Sequence, residues 1–533
     1  MNRRGEAVRR RKMIPYEHAI SSVERAYARS QVLAVRRISI ALALAFVALL
    51  SGCGELREWH RNGFKVGPNY ERPAAYVEQA WIDSDNPRIR TDDANPTSWW
   101  TVFQDPILDS LIEDAYRCNL DVKAAGTRIL ASRAQKKMVT GELMPQSQQA
   151  FAAFTHAQIS KNLSLPLGPL LNVWPVGFNA SWEFDFWGRF RRAIESADAG
   201  LDSSFDGYSD VLVLLFSEIA ESYVQYRVYQ ERIRIAHYNV DVQRGSLELA
   251  ETKFRLGGAN ELDVQQARSS LKQTESTIPV LETGLRQANN RLCVLLGSTP
   301  VDLSMRLGFR PVPTAPAAIA AGAPAELLRR RPDIRRAERD AAAQSAQIGV
   351  AKSDLYPRFA LFGFVGYISD DFKSLFSAKS FTGIVAPNFQ WQIFNYGRLK
   401  NNIRTQESRF QEKIYQYQQT VLQAAREVED AFVAFLKARE QAERLAESVT
   451  AAERSVELVT IQYREGSVDF NRVYNLQSSL LSQQDQLALA RGNIALQTIN
   501  AYKALGGGWA PRDPRGEFAP AKSKHHIYNP HHN

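Results

Sequence analysis

Three cysteines and four C-terminal histidines are the side chains of this 533-residue chain best suited to covalent or metal chemistry. Cys53 ends the run Leu50-Ser51-Gly52-Cys53, in which small residues lead to a single nucleophilic thiol. Cys118 and Cys293 have no metal-like spacing and read as structural thiols, although a periplasmic setting would permit a disulfide. His525, His526, His531 and His532 could bind a metal, but they sit in a Pro- and Lys-rich tail that reads as disordered. There is no P-loop, no H-E-x-x-H, no G-x-S-x-G and no paired-Cys motif, so neither an enzyme nor a cofactor or metal site is expected. The formal charge of +9 is mostly a property of the N-terminus. Residues 1–52 hold ten basic and three acidic residues, which leaves little positive charge for a nucleic-acid surface.

That N-terminus reads as a leader. Residues 38–50 are a thirteen-residue, largely apolar run behind Arg36-Arg37, too short for a comfortable membrane span. The run up to Cys53 resembles the lipobox of bacterial lipoproteins. It predicts that residues 1–52 are a signal peptide and that Cys53 becomes the lipid-carrying first residue. The stretch before Arg36 is long for a leader, and Met13 is an alternative start. Gly54 follows Cys53, where an Asp would suggest retention in the inner membrane.

The elements behind the anchor come twice. Trp182 matches Trp391, Gly188-Arg189 matches Gly397-Arg398, Gly257 matches Gly466 and Gly297 matches Gly506, each 209 residues apart. Upstream the offset is 212, as in Asp121-Val122 against Asp333-Ile334. A chain built from two long copies is read as one repeated unit. Each copy contains a heptad, from Leu212 to Phe254 and from Val421 to Tyr463, and strict 3-4 spacing predicts a long helix that supercoils against partners.

Ahead of each heptad lies an alternating stretch. Val176, Phe178, Ala180, Trp182, Phe184 and Phe186 point one way, and Gly177, Asn179, Ser181, Glu183 and Asp185 the other. Phe389 and Trp391 against Gln390 and Gln392 repeat the parity. Period two with one aromatic and one polar face predicts transmembrane strands with Trp182, Phe184, Phe389 and Trp391 toward lipid. The paired strands are expected near residues 146–158 and 358–369. Four strands cannot close a barrel and an open edge is not viable in lipid, so other copies must pair the edges.

Glycines then end each heptad, at Gly257-Gly258 and at Gly466-Ser467, and predict the tips of two helical hairpins. The expected divisions are a leader (1–52), an extended anchored segment (53–105), a first copy (106–297), a Pro/Ala linker (298–323), a second copy (324–507) and the tail (508–533). One helical pattern is expected from Pro106 to Met144.

Together these runs resemble the TolC/OprM family of outer membrane factors, in particular the lipoprotein branch serving RND-type efflux. The carriers are Cys53, Trp182-Glu183-Phe184-Asp185-Phe186-Trp187-Gly188-Arg189, its copy at 391–398, and the two tips. The resemblance implies an α+β membrane protein: a homotrimer with a twelve-stranded barrel in the outer membrane and a twelve-helix periplasmic tunnel. It implies a passive efflux duct, with a periplasmic adaptor at the tips and an inner-membrane RND transporter as energy source. A type I protein-secretion duct is the alternative, and the lipobox leans against it. Family members constrict the tunnel with acids near the last tip. Here Asn475 stands at one such position, and Asp469 is the nearest acid.

Overall fold

A computed structural model describes residues 57–90, 96–158, 170–512 and 515. The leader, Cys53 and the four histidines lie outside the described residues. In chain order, β1 (Ile89–Arg90) precedes α1 (Pro106–Cys118), α2 (Leu120–Gly141), β2 (Ser147–Ala152), β3 (Thr155–Gln158) and β4 (Leu170–Glu183). The long α3 (Arg189–Arg255) and α4 (Glu261–Leu295) follow. After α5 (Ser304–Leu307), β5 (Ile319–Ala320) and α6 (Leu327–Arg330) come α7 (Pro332–Ser353), β6 (Arg358–Ser369) and β7 (Phe381–Gln390). The chain closes with α8 (Arg398–Glu465) and α9 (Phe470–Ala504). The starts of α3 and α8, and of α4 and α9, are 209 residues apart; those of α2 and α7 are 212 apart.

The heptads form the two longest helices, of 67 and 68 residues. Each is about 100 Å long at 1.5 Å per residue. In α8 the stripe from Val421 to Tyr463 is buried except at Leu445 and Ala452, which are half-buried. In α3 it is buried at most positions, whereas Phe254 near the tip is 46% exposed. Helix α4 folds back along α3, α9 folds back along α8, and α9 packs on α3. Nearer the sheet, α2 lies on α3, α7 lies on α8, and α7 also packs on α3. Pro279 sits inside α4 without ending it. Among the described residues no helix is long and apolar enough to cross a membrane.

The expected single helix from Pro106 to Met144 is two helices, broken at Asn119. Its side-chain oxygen accepts from Asp121 N and Val122 N, while its Nδ2 donates to the Leu295 carbonyl at 2.9 Å. One buried amide therefore starts α2 and ends α4, which outweighs helical continuity. In the second copy a cation meets the helix end: Arg331, the residue before α7, donates to the Ala504 carbonyl at 2.8 Å. The glycines beyond these ends, Gly297 (φ +69) and Gly506 (φ +72), leave room for the capping segments. A Cβ at Gly297 would sit 2.5 Å from the Cys118 carbonyl.

The core lies where the short and long elements meet. Trp81, Trp99, Trp100 and Trp509 pack with Phe216, Phe432 and Tyr502. Two expectations are corrected here. The segment at 298–323 is no bare linker: Leu307, Ile319 and Ala321 are buried, and β5 pairs in parallel with β1. The tail is not disordered from its start either. Trp509 is 3% exposed and donates to the Arg330 carbonyl, and Arg512 pairs with Glu113 at 2.8 Å. Apolar residues within Pro-rich runs carried too little periodicity to reveal either.

The N-terminal segment does lie over a surface. Arg192, 2% exposed, donates to the carbonyls of Val66 and Gly67, and Gly67 passes so close to Gly349 that a Cβ would sit 2.5 Å from its Cα. Lower down, Arg72 pairs with Glu338 and Arg88 with Glu443. The strap thus runs from the sheet end of α3 across α7 to α8.

Candidate functional site

The sheet order is β2-β4-β6-β7, and β3 continues along β4 beyond a break at Ala153-Phe154. The two hairpins therefore share one sheet through ten antiparallel β4–β6 pairs, from Trp174↔Ser369 to Glu183↔Ala360. Register assigns the faces. Trp182 is opposite Leu361 and Phe389 is opposite Phe359, so Trp182 and Phe389 share a face with Phe178, Val365 and Val385. Asn179, Ser181, Glu183, Asn388 and Gln390 lie on the other face. That second face is not wholly polar. Phe364, 8% exposed, covers Gly177 and Gly366, whose added Cβ atoms would fall 2.9 and 3.0 Å from its ring. Strand β6 is apolar on both faces, which is why its alternation was faint in the sequence.

The strands end earlier than the alternation suggested, at Glu183 and Gln390. Phe184 and Trp391, and likewise Asp185 and Gln392, fall in the turns to the long helices. Helix initiation takes over at that point. The Asp185 carboxylate accepts from Phe190 N at 2.9 Å and Arg191 N at 3.1 Å, and it pairs with Arg191 at 2.8 Å. An acid in that position satisfies orphan N–H groups and favours the positive end of the helix dipole. Glu183 pairs with Arg189 at 3.3 Å. Trp182 donates from Nε1 to the Leu143 carbonyl at 3.0 Å, and Trp391 to Leu355 at 2.9 Å.

The glycines stand at the far ends of the hairpins. Gly257 has φ +76 between α3 and α4, and Gly466 has φ +83 between α8 and α9. Both sites are open, with no neighbour within 4 Å of a Cβ at Gly257 and only Lys253 Nζ, at 3.8 Å, at Gly466. Gly258 and Ser467 follow in the turns. The two tips pack together through Ala250, Val264, Ala267, Val459, Tyr463, Phe470 and Val473. Gln266 on one tip donates to Asn471 on the other at 3.1 Å.

The structure gives Asp469 a structural task that the sequence reading missed. It caps α9, accepting from Arg472 N at 3.2 Å, as Asn260 caps α4 by accepting from Asp263 N at 2.9 Å. Asn475 is exposed within α9 and donates to Asn471 at 3.4 Å. Lys253 is a second tip residue with a task of its own. Its ammonium lies 4.6 Å from the centre of the Tyr463 ring and donates to the Tyr463 carbonyl, a cation placed at the negative end of α8. Burial, reinforced by Asp263, pushes the Tyr463 phenol up to about 12. Among the described residues its hydroxyl has no hydrogen-bond partner. Lys253 carried no repeat signal, because the matching position in the second copy is Gln462.

A family model described as outer membrane efflux protein matches residues 111–298 and 323–507, one stretch in each copy. Among curated proteins, the pyoverdine export outer membrane protein OpmQ of Pseudomonas putida is 31% identical, across 78% of this chain and 89% of its own length. The cation efflux system protein CusC of Escherichia coli is 28% identical, across 84% of this chain and 96% of its own. Among solved structures, the outer-membrane channel OprN superimposes with a TM-score of 0.79 at 31% identity, covering 83% of this chain and 99% of that one.

Proposed function

This chain belongs to the outer membrane efflux protein family, and on that premise we propose that three copies close one barrel and one tunnel. It is an outer membrane efflux channel; a duct for polypeptide secretion is the weaker reading, since the relatives named above export pyoverdine or cations. The observation that carries the trimer is the sheet. With β3 counted as the continuation of β2, each chain supplies four strands with open edges at β2 and β7, and each of the four is joined to α2, α3, α7 or α8. Edges in lipid must be paired, and twelve strands enclose an open lumen.

In this reading the Trp182–Phe389 face meets lipid and the Asn179–Ser181–Glu183 face lines the lumen. Cys53 carries acyl chains in the inner leaflet. The tips at Gly257-Gly258 and Gly466-Ser467 reach farthest into the periplasm, where an adaptor recruits an inner-membrane RND transporter. The channel performs no chemistry of its own. Binding the open tips better than the closed ones lets the adaptor shift the balance between them. The closed state is held near Asp469 and Asn475, at the start of α9.

Native mass spectrometry of the protein purified from outer membranes tests the assembly and the anchor together. The expected species is three chains, each beginning at Cys53 and carrying acyl mass. A single chain, or a mature N-terminus elsewhere without lipid, would refute the corresponding half of the reading.

A further inference from the structure

The internal repeat also specifies how one copy meets the next. Helix α3 descends from β4 and α7 rises into β6, and because β4 and β6 are paired, α3 and α7 pack together. Their copies are α8, which descends from edge strand β7, and α2, which rises into edge strand β2. Residues on α8 are exposed where their α3 equivalents are buried. Tyr415 and Leu422 are 63% and 55% exposed, whereas Asp206 and Val213 are 1% and 5%. On α2, Leu130 is 60% exposed, against 8% for its equivalent Ala342.

We propose that α8 of one copy seats against α2 of a second copy of this chain in the α3–α7 geometry, with Arg128 of one copy paired to Glu412 of the other. This rests on the closed-ring reading above. Two side-chain hydrogen bonds cross between α3 and α7, beside the ion pairs Arg335–Asp206 and Arg339–Asp202, whose translated positions, Lys123 with Tyr415 and Thr127 with Gln411, are not ion pairs. Ser203 donates to Asp340 at 2.6 Å, and Gln347 donates to Ser196 at 2.8 Å. Shifting the α3 members forward by 209 residues and the α7 members back by 212 turns Ser203–Asp340 into Glu412–Arg128. The second pair becomes Thr405–Gln135. Both translated pairs are complementary, one an ion pair and the other a donor–acceptor pair, although the residue types have changed. All four side chains are exposed in the single chain. The strap does not recur at this seam, because Arg192 becomes Asn401 and Gly349 becomes Lys137, which leaves the seam to the second copy.

Cysteine cross-linking decides it. In a Cys118→Ser background, Arg128→Cys with Glu412→Cys should, on oxidation or with a short bifunctional reagent, run as covalent dimers and trimers on a denaturing gel. Ser203→Cys with Asp340→Cys should link within one chain and run as a monomer. Native mass of each sample separates the possibilities. A native trimer in which the Arg128/Glu412 pair yields only monomers would overturn this seam while leaving the trimer intact. An absence of any oligomer would overturn the trimer and the seam with it. As a second variant, Arg128→Glu should lower trimer yield several-fold, and adding Glu412→Arg should restore it; no rescue by the swap would also count against the pair.

Discussion

The indole of Trp182 donates to the carbonyl of Leu143 at 3.0 Å, across the point where a rising helix becomes a strand and a falling strand becomes a helix. Trp391 makes the same bond to Leu355 at 2.9 Å. Each indole thus pins the exit of one helix to the end of the second strand of its hairpin. Trp182→Phe keeps the ring but strands the carbonyl. The expected cost is about 0.5–1.5 kcal/mol, read as a lower thermal midpoint of the detergent-solubilised trimer. Trp391 is more exposed, so water can replace its bond and Trp391→Phe should cost less.

The two faces of the sheet should tolerate charge differently. Phe178→Arg, on the face shared by Trp182 and Phe389, should cost about 2–4 kcal/mol in the bilayer, and Asn179→Arg much less. The yield of folded protein in outer membranes reports the difference. Equal yields would mean that these strands do not form a barrel wall.

At the tips, Gly466→Asp and Gly257→Asp each force a side chain into a left-handed conformation, at roughly 1 kcal/mol. Neither site is crowded, and at position 466 the new carboxylate would lie near Lys253. Trimer yield should therefore be unchanged. Export, measured as accumulation of a fluorescent efflux substrate in cells, should be lost if the adaptor docks there. Normal export would move docking to the tunnel sides.

Asp210 offers a pH signature. It lies in α3, beyond the strand wall. Burial, then the neighbouring Asp333, raises its carboxyl to about 6, against the opposing pull of Arg336 and Arg331. A folded-state value above the ordinary 3.8 means that the unfolded chain gives up this proton first as pH rises. Folding stability is therefore lost between about pH 4 and pH 6, by at most about 3 kcal/mol and less where water screens the group. Asp210→Asn should raise the thermal midpoint at pH 7.5 and leave it nearly unchanged at pH 4. A uniform shift at both values would assign the effect to packing.

What was legible in the sequence was whatever repeats or alternates. The offset between Gly188 and Gly397 locates the starts of both long helices, and the heptads give their buried stripes. Parity places Trp182 and Phe389 on one face. What was illegible depended on contacts between distant segments. Nothing near Asn119 indicates that its amide will reach Leu295, nor near Lys253 that it will reach Tyr463. Asp185 continued the alternation by residue type, but the helix behind it needed a cap. Asp469 looked like a free acid near a tip because its partner is a backbone N–H, which leaves no trace in residue identities.

In the proposed trimer the Asn179–Ser181 face lines a water-filled conduit. Single-channel recording from the purified trimer in a planar bilayer tests this most directly, in a Cys118→Ser background. Ser181→Cys and Phe178→Cys are compared before and after a bulky, charged, water-soluble thiol reagent. Discrete conductance steps should appear, shrink on modification of Ser181→Cys and stay unchanged for Phe178→Cys. An absence of conductance, or equal block at both positions, would contradict it.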